Sequence, residues 1–368
     1  MRILFAGGGT GGHLYPGLAI ARAVQRLDPD ARPYFVGARR GIEREVLPKS
    51  GFPHRLLDLH PLYRARPWDN WRTAIGLARA WRELAALGRE ERPAVVVGTG
   101  GYAAAAACAW AATKGLPVVL QEQNSFAGIS ARLIARVATE IYLGYGEAAR
   151  SLRPRHGTWM EETGNPIEPP PSPRPARDVA RRAWDFPVTT RVLLITGGSQ
   201  GARALNDVVS AWIRAGLPDG LHVIWATGNG TFAQHAHNES SRVRVRPYLA
   251  PIADAYAAAD FALTRAGALT LAELCAWGIP GILVPLPTAA ADHQTANARA
   301  LVASGAAREL PQRDLTVDRL DREVRSLLED RGRLEVMARA ALARGRPDAA
   351  ATIARRVLAL ARAGSSRA

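Results

Sequence analysis

Short apolar runs alternate along the chain with longer segments of helical period. Arg2 to Ala6, Pro33 to Gly37, "AVVVG" at 94–98, "PVVLQ" at 117–121 and "RVLLIT" at 191–196 read as strands. Pro16 to Leu27, residues 68–87 and "RALNDVVSAWI" after the last strand read as helices. Strand and helix in strict alternation predict an α/β fold with parallel sheets covered by helices.

The joints between these elements are unusually bare. "GGGTGGH" at 7–13 links the first strand to the first helix and contains G-x-G-x-x-G as Gly7, Gly9 and Gly12. This suits a phosphate-binding loop of Rossmann type. A dinucleotide site needs an acid after the second strand, where this chain has Ala38-Arg39-Arg40, so an NADP reading is weakened without being excluded. "PIEPPPSPRPAR" at 166–177 holds six prolines in twelve residues and reads as a semi-rigid linker. Beyond it the opening pattern returns as strand 191–196, glycine loop "GGSQGA" at 197–202, and helix. The repeat predicts two Rossmann-like domains facing one another across a ligand cleft. A third cluster, "GTGGYAA" at 98–104, reads equally as close helix packing or as ligand contact.

The 368 residues, 48% of them apolar, suffice for two domain cores. The expected division is an N-terminal domain over 1–165, the linker 166–177, a C-terminal domain over 178–345, and a last helix, 346–368, returning to the first domain. The net charge of +15 is carried almost wholly by arginine, with lysine only at 49 and 114. Such a surface suits nucleic acid, anionic lipid or a phosphorylated substrate. No zinc-finger spacing or RNA-binding aromatic signature supports the first, and no nucleic-acid partner is expected. Cys108 and Cys275 lie in apolar helical stretches and read as buried thiols in a reducing compartment. One short strand precedes the first glycine, so no secretory leader is expected, and the run Tyr102 to Ala112 is short of the ~20 residues a spanning helix needs.

"TRAGALTLAELCAWGIPGILVPLP" at 264–287 places a small-residue turn, Gly267-Ala268, before a helix carrying Thr270 and Glu273. A helix N-terminus offers free amides to phosphate, and a carboxylate further in can accept ribose hydroxyls; a plain helix-dipole role for Glu273 is the alternative. "DHQTANA" at 292–298 offers Asp292, His293, Gln294 and Asn297 to sugar hydroxyls, or Asp292 as a simple cap. In residues 68–87, Ala74, Leu77, Trp81 and Leu84 share the face expected to pack on the core, while Trp68, Trp71 and Ile75 share another, flanked by Arg72, Arg79 and Arg82.

"GGGTGGH", "QEQN", "TGNP", "GGSQGAR", "RAGALTLAEL" and "DHQTANA", in this order, resemble the MurG family, the UDP-N-acetylglucosamine:N-acetylmuramyl-(pentapeptide) pyrophosphoryl-undecaprenol N-acetylglucosaminyltransferases. The likeness runs from residue 1 to beyond 300. It implies a GT-B fold and inverting transfer of GlcNAc from UDP-GlcNAc to lipid I, yielding lipid II and UDP. Another UDP-sugar transferase, a UDP-GlcNAc 2-epimerase and a non-catalytic nucleotide-sugar-binding component are the competing readings. The resemblance places donor contacts at Thr10, Gly11, Gly12, Asn124, Ser199, Leu249, Ala268, Leu269, Thr270, Leu271, Ala272, Glu273 and Gln294, with Leu249 at the uracil, Glu273 at the ribose and Gln294 at the sugar. His13 is the candidate base, and neither metal nor cofactor is expected. An embedded lipid acceptor implies peripheral attachment at the cytoplasmic face of the plasma membrane, beside other wall-building proteins. The arginine-edged face with Trp68, Trp71, Arg72, Ile75, Arg79 and Arg82 suits such an anionic surface. One departure stands out: Glu168 occupies a position where relatives often carry an arginine, and it would repel a diphosphate if it faced the ligand.

Overall fold

The computed structural model describes residues 1–59, 70–198 and 201–365, with the backbone alone for 70–74, 331 and 365. It divides into two compact units, Met1–Glu168 with Asp348–Ala368, and Pro169–Pro347.

The first unit runs β1 (Arg2–Ala6), α1 (Gly11–Leu27), β2 (Arg32–Ala38), α2 (Glu43–Val46), β3 (His54–Leu57), α3 (Asn70–Glu91), β4 (Val95–Gly98), α4 (Gly101–Thr113), β5 (Val118–Glu122), α5 (Ile129–Ala135), β6 (Glu140–Leu143) and β7 (Trp159–Glu162). Its strands form one parallel sheet in the order β3-β2-β1-β4-β5-β6-β7. Alternate residues of β1 enter different cores. Leu4 and Ala6 join α3, α4 and α5 on one face, and Ile3 and Phe5 join α1 on the other. That is why the strands read as unbroken apolar runs: both faces are covered. Each fully buried Leu, Ile, Val or Phe contributes roughly 1.5–3 kcal/mol.

The second unit runs α6 (Arg177–Ala183), β8 (Arg191–Thr196), α7 (Arg203–Ala215), β9 (Leu221–Ala226), α8 (Phe232–His235), β10 (Val243–Arg246), α9 (Ala253–Ala258), β11 (Phe261–Thr264), α10 (Ala268–Trp277), β12 (Gly281–Leu283), α11 (His293–Ala303), β13 (Ala307–Glu309), α12 (Val317–Glu329) and α13 (Arg331–Arg344). The parallel sheet is ordered β10-β9-β8-β11-β12-β13. The last helix, α14 (Ala349–Ser365), belongs to the first unit, where Ile353, Ala354, Val357 and Ala361 enter the core that holds Leu14, Leu18 and Val24 of α1. Both sheets reverse strand order beside their first strand, between β1 and β4 and between β8 and β11, and these are the points where doubly wound sheets bind ligands. This is the GT-B type of α/β fold, two Rossmann-like units with parallel sheets.

Two sequence expectations change. The first helix begins at Gly11, not Pro16, so the end of the glycine run is already helical and Pro16 lies inside the helix. Leu77, expected on the buried face of α3, is 46% exposed, because α3 enters the core only from Ala80 onward, through Ala80, Leu84 and Leu87. No helix among the described residues is long and apolar enough to cross a membrane.

Candidate functional site

In the first unit the loops after β1 and β4 meet. Gly8 N–H donates to Gly100 O at 3.4 Å, and a Cβ on Gly100 would lie 2.5 Å from Cδ2 of His13. Gly100 and Gly101 of the "GTGGYAA" cluster are thus bare for close packing on the first loop. His13, third residue of α1 and half-buried, approaches Gly8 O with Nδ1 at 3.2 Å and Thr10 Oγ1 at 3.5 Å. A carbonyl oxygen only accepts, so Nδ1 carries a hydrogen, and in the neutral ring the lone pair is on Nε2. Thr99 Oγ1 donates to His13 O at 2.6 Å, which fixes the same residue through its backbone.

The glycines of the first loop have different reasons to be bare. A Cβ on Gly7 would strike the Thr99 hydroxyl, and one on Gly8 the Glu43 carboxyl, so both serve interior packing. Gly9 has φ +86°, where a side chain is strained, and a Cβ on Gly12 would meet only Thr10 Oγ1, at 3.8 Å. Interior packing thus accounts for Gly7 and Gly8 and backbone conformation for Gly9, while neither requires Gly12 to be bare. Thr10 precedes α1 without a side-chain cap, and Gly11 and Gly12 supply the first helical amides.

Behind this loop is a buried amide network that sequence reading missed. Gln123 Nε2 donates to Thr99 O at 2.8 Å and to Gln121 Oε1 at 2.6 Å; Gln121 Nε2 donates to Asn165 Oδ1 at 3.2 Å, and Asn165 Nδ2 to Gln123 O at 2.9 Å. Asn124 is half-buried, and its backbone N–H and side-chain Nδ2 both donate to Glu122 Oε1. Burial pushes the Glu122 carboxyl up, and the Asn124 and Gly128 amides pull it back. Glu168 does not stand free to repel a ligand. It pairs with Arg26 at 2.9 Å, about four turns along α1 from the glycine loop.

In the second unit α10 starts at Ala268 after Gly267, with neither a side-chain cap nor an acid in its first turn. The first intrahelical bond is Leu271 N–H to Gly267 O, so the amides of Ala268, Leu269 and Thr270 precede the helical ladder. Ala272 and Glu273 follow on the second turn. That position removes the first-turn dipole role for Glu273. Its Oε2 accepts the Tyr256 hydroxyl at 2.7 Å; burial raises the carboxyl and this hydrogen bond lowers it. Leu249 is 6% exposed, on the loop between β10 and α9. Gln294, near the start of α11, accepts Leu286 N–H through Oε1 at 3.0 Å, so its NH2 is the group it can offer a ligand. Ala291 and Asp292 sit at φ +54° and +53°, two successive non-glycine residues in the left-handed region. Each costs on the order of 1–3 kcal/mol, and such strain clusters at ligand-binding loops. Asp292 precedes α11 without capping it, and its Oδ1 accepts the Thr295 hydroxyl.

Arg265, also missed from sequence, is buried and spends its guanidinium on Val284 O and Gln312 Oε1, tying the ends of β11 and β12 together. Cys108 and Cys275 are buried free thiols, pushed up by burial to about 12 and about 11. On α3, Ile75 is 44% exposed and Arg79 and Arg82 are exposed with it. Trp68 and Ser199 lie outside the described residues, as do the side chains of Trp71 and Arg72.

The glycosyltransferase family 28 N-terminal domain matches residues 3–143, and the family 28 C-terminal domain matches 192–353. The chain is 42% identical to a UDP-N-acetylglucosamine–N-acetylmuramyl-(pentapeptide) pyrophosphoryl-undecaprenol N-acetylglucosamine transferase of Salinibacter ruber, over 98% of this chain and 96% of that one. It is 39% identical to the protein of that name from Chlorobaculum parvum, over 98% and 100%. The crystal structure of Acinetobacter baumannii MurG superposes with a TM-score of 0.73 at 27% identity, covering 97% and 99% of the two chains. A Staphylococcus aureus MnaA–UDP structure shares the fold, with a TM-score of 0.68 at 13% identity over 96% and 94%. With both domain matches in order and full-length relatives at this identity, the chain belongs to glycosyltransferase family 28.

Proposed function

We propose that this chain transfers N-acetylglucosamine from UDP-GlcNAc to lipid I, the undecaprenyl-pyrophosphoryl-MurNAc-pentapeptide, releasing UDP and forming lipid II with inversion at the sugar carbon. The acceptor hydroxyl loses its proton as its oxygen bonds to the anomeric carbon, and the carbon–oxygen bond to the diphosphate breaks with its electron pair going to UDP. The leaving diphosphate requires no proton. It requires donors for its growing charge.

The C-terminal unit carries such donors in the amides of Ala268, Leu269 and Thr270 at the start of α10. In this reading Glu273 accepts the ribose hydroxyls, Leu249 meets the uracil through its backbone, and Gln294 donates to the sugar. Asn124 and the amides of Thr10, Gly11 and Gly12 complete the donor set. His13 is the base. One observation carries that assignment: Nδ1–H is committed to Gly8 O, so Nε2 is the nitrogen with a lone pair for the acceptor proton.

The acceptor's lipid tail implies peripheral attachment at the cytoplasmic face of the membrane. The exposed Ile75, Arg79 and Arg82 support that reading. Incubation with radiolabelled UDP-GlcNAc and a lipid I analogue tests the reaction. Label in lipid II is the expected result, and UDP-ManNAc or no turnover overturns it.

A further inference from the structure

Glu43 opens the short helix α2, and its side chain is fully buried. Oε1 accepts the Ala38 N–H at 2.9 Å, and Oε2 has no hydrogen-bond partner among the described residues. A buried carboxyl is costly unless paired, and an apolar side chain of the same length would fill the space at less cost. The surroundings show what the carboxyl is fitted to. A Cβ on Gly37 would lie 2.8 Å from Glu43 Cγ, and Cβ atoms on Gly8 and Gly41 would fall inside the carboxyl itself.

Gly8 is held from the other side as well. Its N–H reaches Gly100 O, and a Cβ on Gly101 would collide with its carbonyl. The peptide whose oxygen receives His13 Nδ1–H is thus wedged between the Glu43 carboxyl and the loop after β4. The Ala38 hydrogen bond in turn ties Glu43 to the end of β2.

We propose that Glu43 is a positioning residue for the transfer reaction: its carboxyl sets the Gly8 peptide and thereby keeps His13 in the tautomer whose Nε2 accepts a proton. The inference rests on His13 acting as the base. Glu43 touches no reacting atom. It acts through one backbone carbonyl.

The test is two-bond proton–nitrogen NMR of the full chain labelled with 15N-histidine, with His13 assigned by the signal lost in His13→Gln. The native protein should show His13 protonated at Nδ1. Glu43→Met should mix the tautomers and lower kcat at least tenfold, with KM for UDP-GlcNAc within about twofold of native. Glu43→Gln keeps an acceptor for Ala38 and should restore most of both. Should Glu43→Met not fold, Gly41→Ala pushes on the carboxyl from the far side and should shift the same signal. An unchanged His13 tautomer in folded Glu43→Met or Gly41→Ala overturns the inference. A shifted tautomer with unchanged kcat instead sustains the positioning role and overturns His13 as the base.

Discussion

Tyr256 on α9 donates its hydroxyl to Oε2 of Glu273 on α10 at 2.7 Å. One carboxylate oxygen is thereby occupied from within the unit, and the rotamer of the other is set. Glu273→Ala should weaken both UDP and UDP-GlcNAc roughly 10- to 100-fold, the value of a hydrogen bond to a charged group at ~1.5–3 kcal/mol. Tyr256→Phe should give a smaller loss that grows as pH falls, because burial raises the Glu273 carboxyl and the Tyr256 hydroxyl is what lowers it. Calorimetric titration with UDP between pH 5 and 8 measures both. Native affinity in Glu273→Ala would remove the ribose contact.

His13→Ala should lower kcat by at least tenfold, within the ~10²–10⁴ range of general-base catalysis, while UDP-GlcNAc affinity stays within about twofold. The acidic limb of the pH–rate profile should flatten. Steady-state kinetics on a folded variant decides this, and near-native turnover would leave the loop as a phosphate cradle alone.

Neutralising Arg72, Arg79 and Arg82 should reduce sedimentation with phosphatidylglycerol vesicles, each arginine near such a surface being worth about 1 kcal/mol. Turnover of a short, water-soluble acceptor should not change. Equal loss of vesicle binding and soluble-acceptor turnover would make the helix structural.

His235 is 4% exposed, its ring tilted against that of Trp225 at 5.2 Å, and burial depresses its imidazole; His222 is depressed in the same way, by burial and by Arg242 and Arg244. Above the ordinary value of about 6.5 both states of the chain hold these rings neutral. As pH falls below it the unfolded chain takes up protons that the folded unit refuses, so stability is lost, by at most about 1.4 kcal/mol per pH unit for each ring. Urea unfolding at pH 7.5 and 5.5 should show this loss, and His235→Phe should shrink it. Equal losses in the variant and the native protein would clear His235 of the effect.

The alternation of strands and helices was readable because buried parallel strands are apolar on both faces, as Ile3-Leu4-Phe5 are. Motif order carried the family. What could not be read were relationships across long stretches of chain. Gly7 is bare for Thr99 and Gly8 for Glu43, partners that local pattern cannot name, so a loop that reads as wholly open to phosphate is half committed to the interior. Leu77 has the right helical phase for the core, yet α3 meets that core only from Ala80. Tyr256 lies 17 positions before Glu273, and nothing in its apolar segment marks a hydroxyl with a task.

The bare start of α10 bears on how far the protein can be stabilised. Thr316 and Asp330 cap α12 and α13 with side-chain oxygens, whereas Gly267 leaves α10 without one. Gly267 has φ −68°, and a Cβ there would meet only Thr270 Oγ1 at 3.9 Å, so aspartate fits the position. A cap is worth roughly 0.5–2 kcal/mol over alanine but only a few tenths over glycine, so the gain in Tm from Gly267→Asp would be modest. The new carboxylate would also occupy, with negative charge, the amides proposed here to take the donor diphosphate. If those amides take the diphosphate, thermal robustness and donor affinity are opposed at this one residue, and selection for a more heat-resistant enzyme should leave Gly267 untouched.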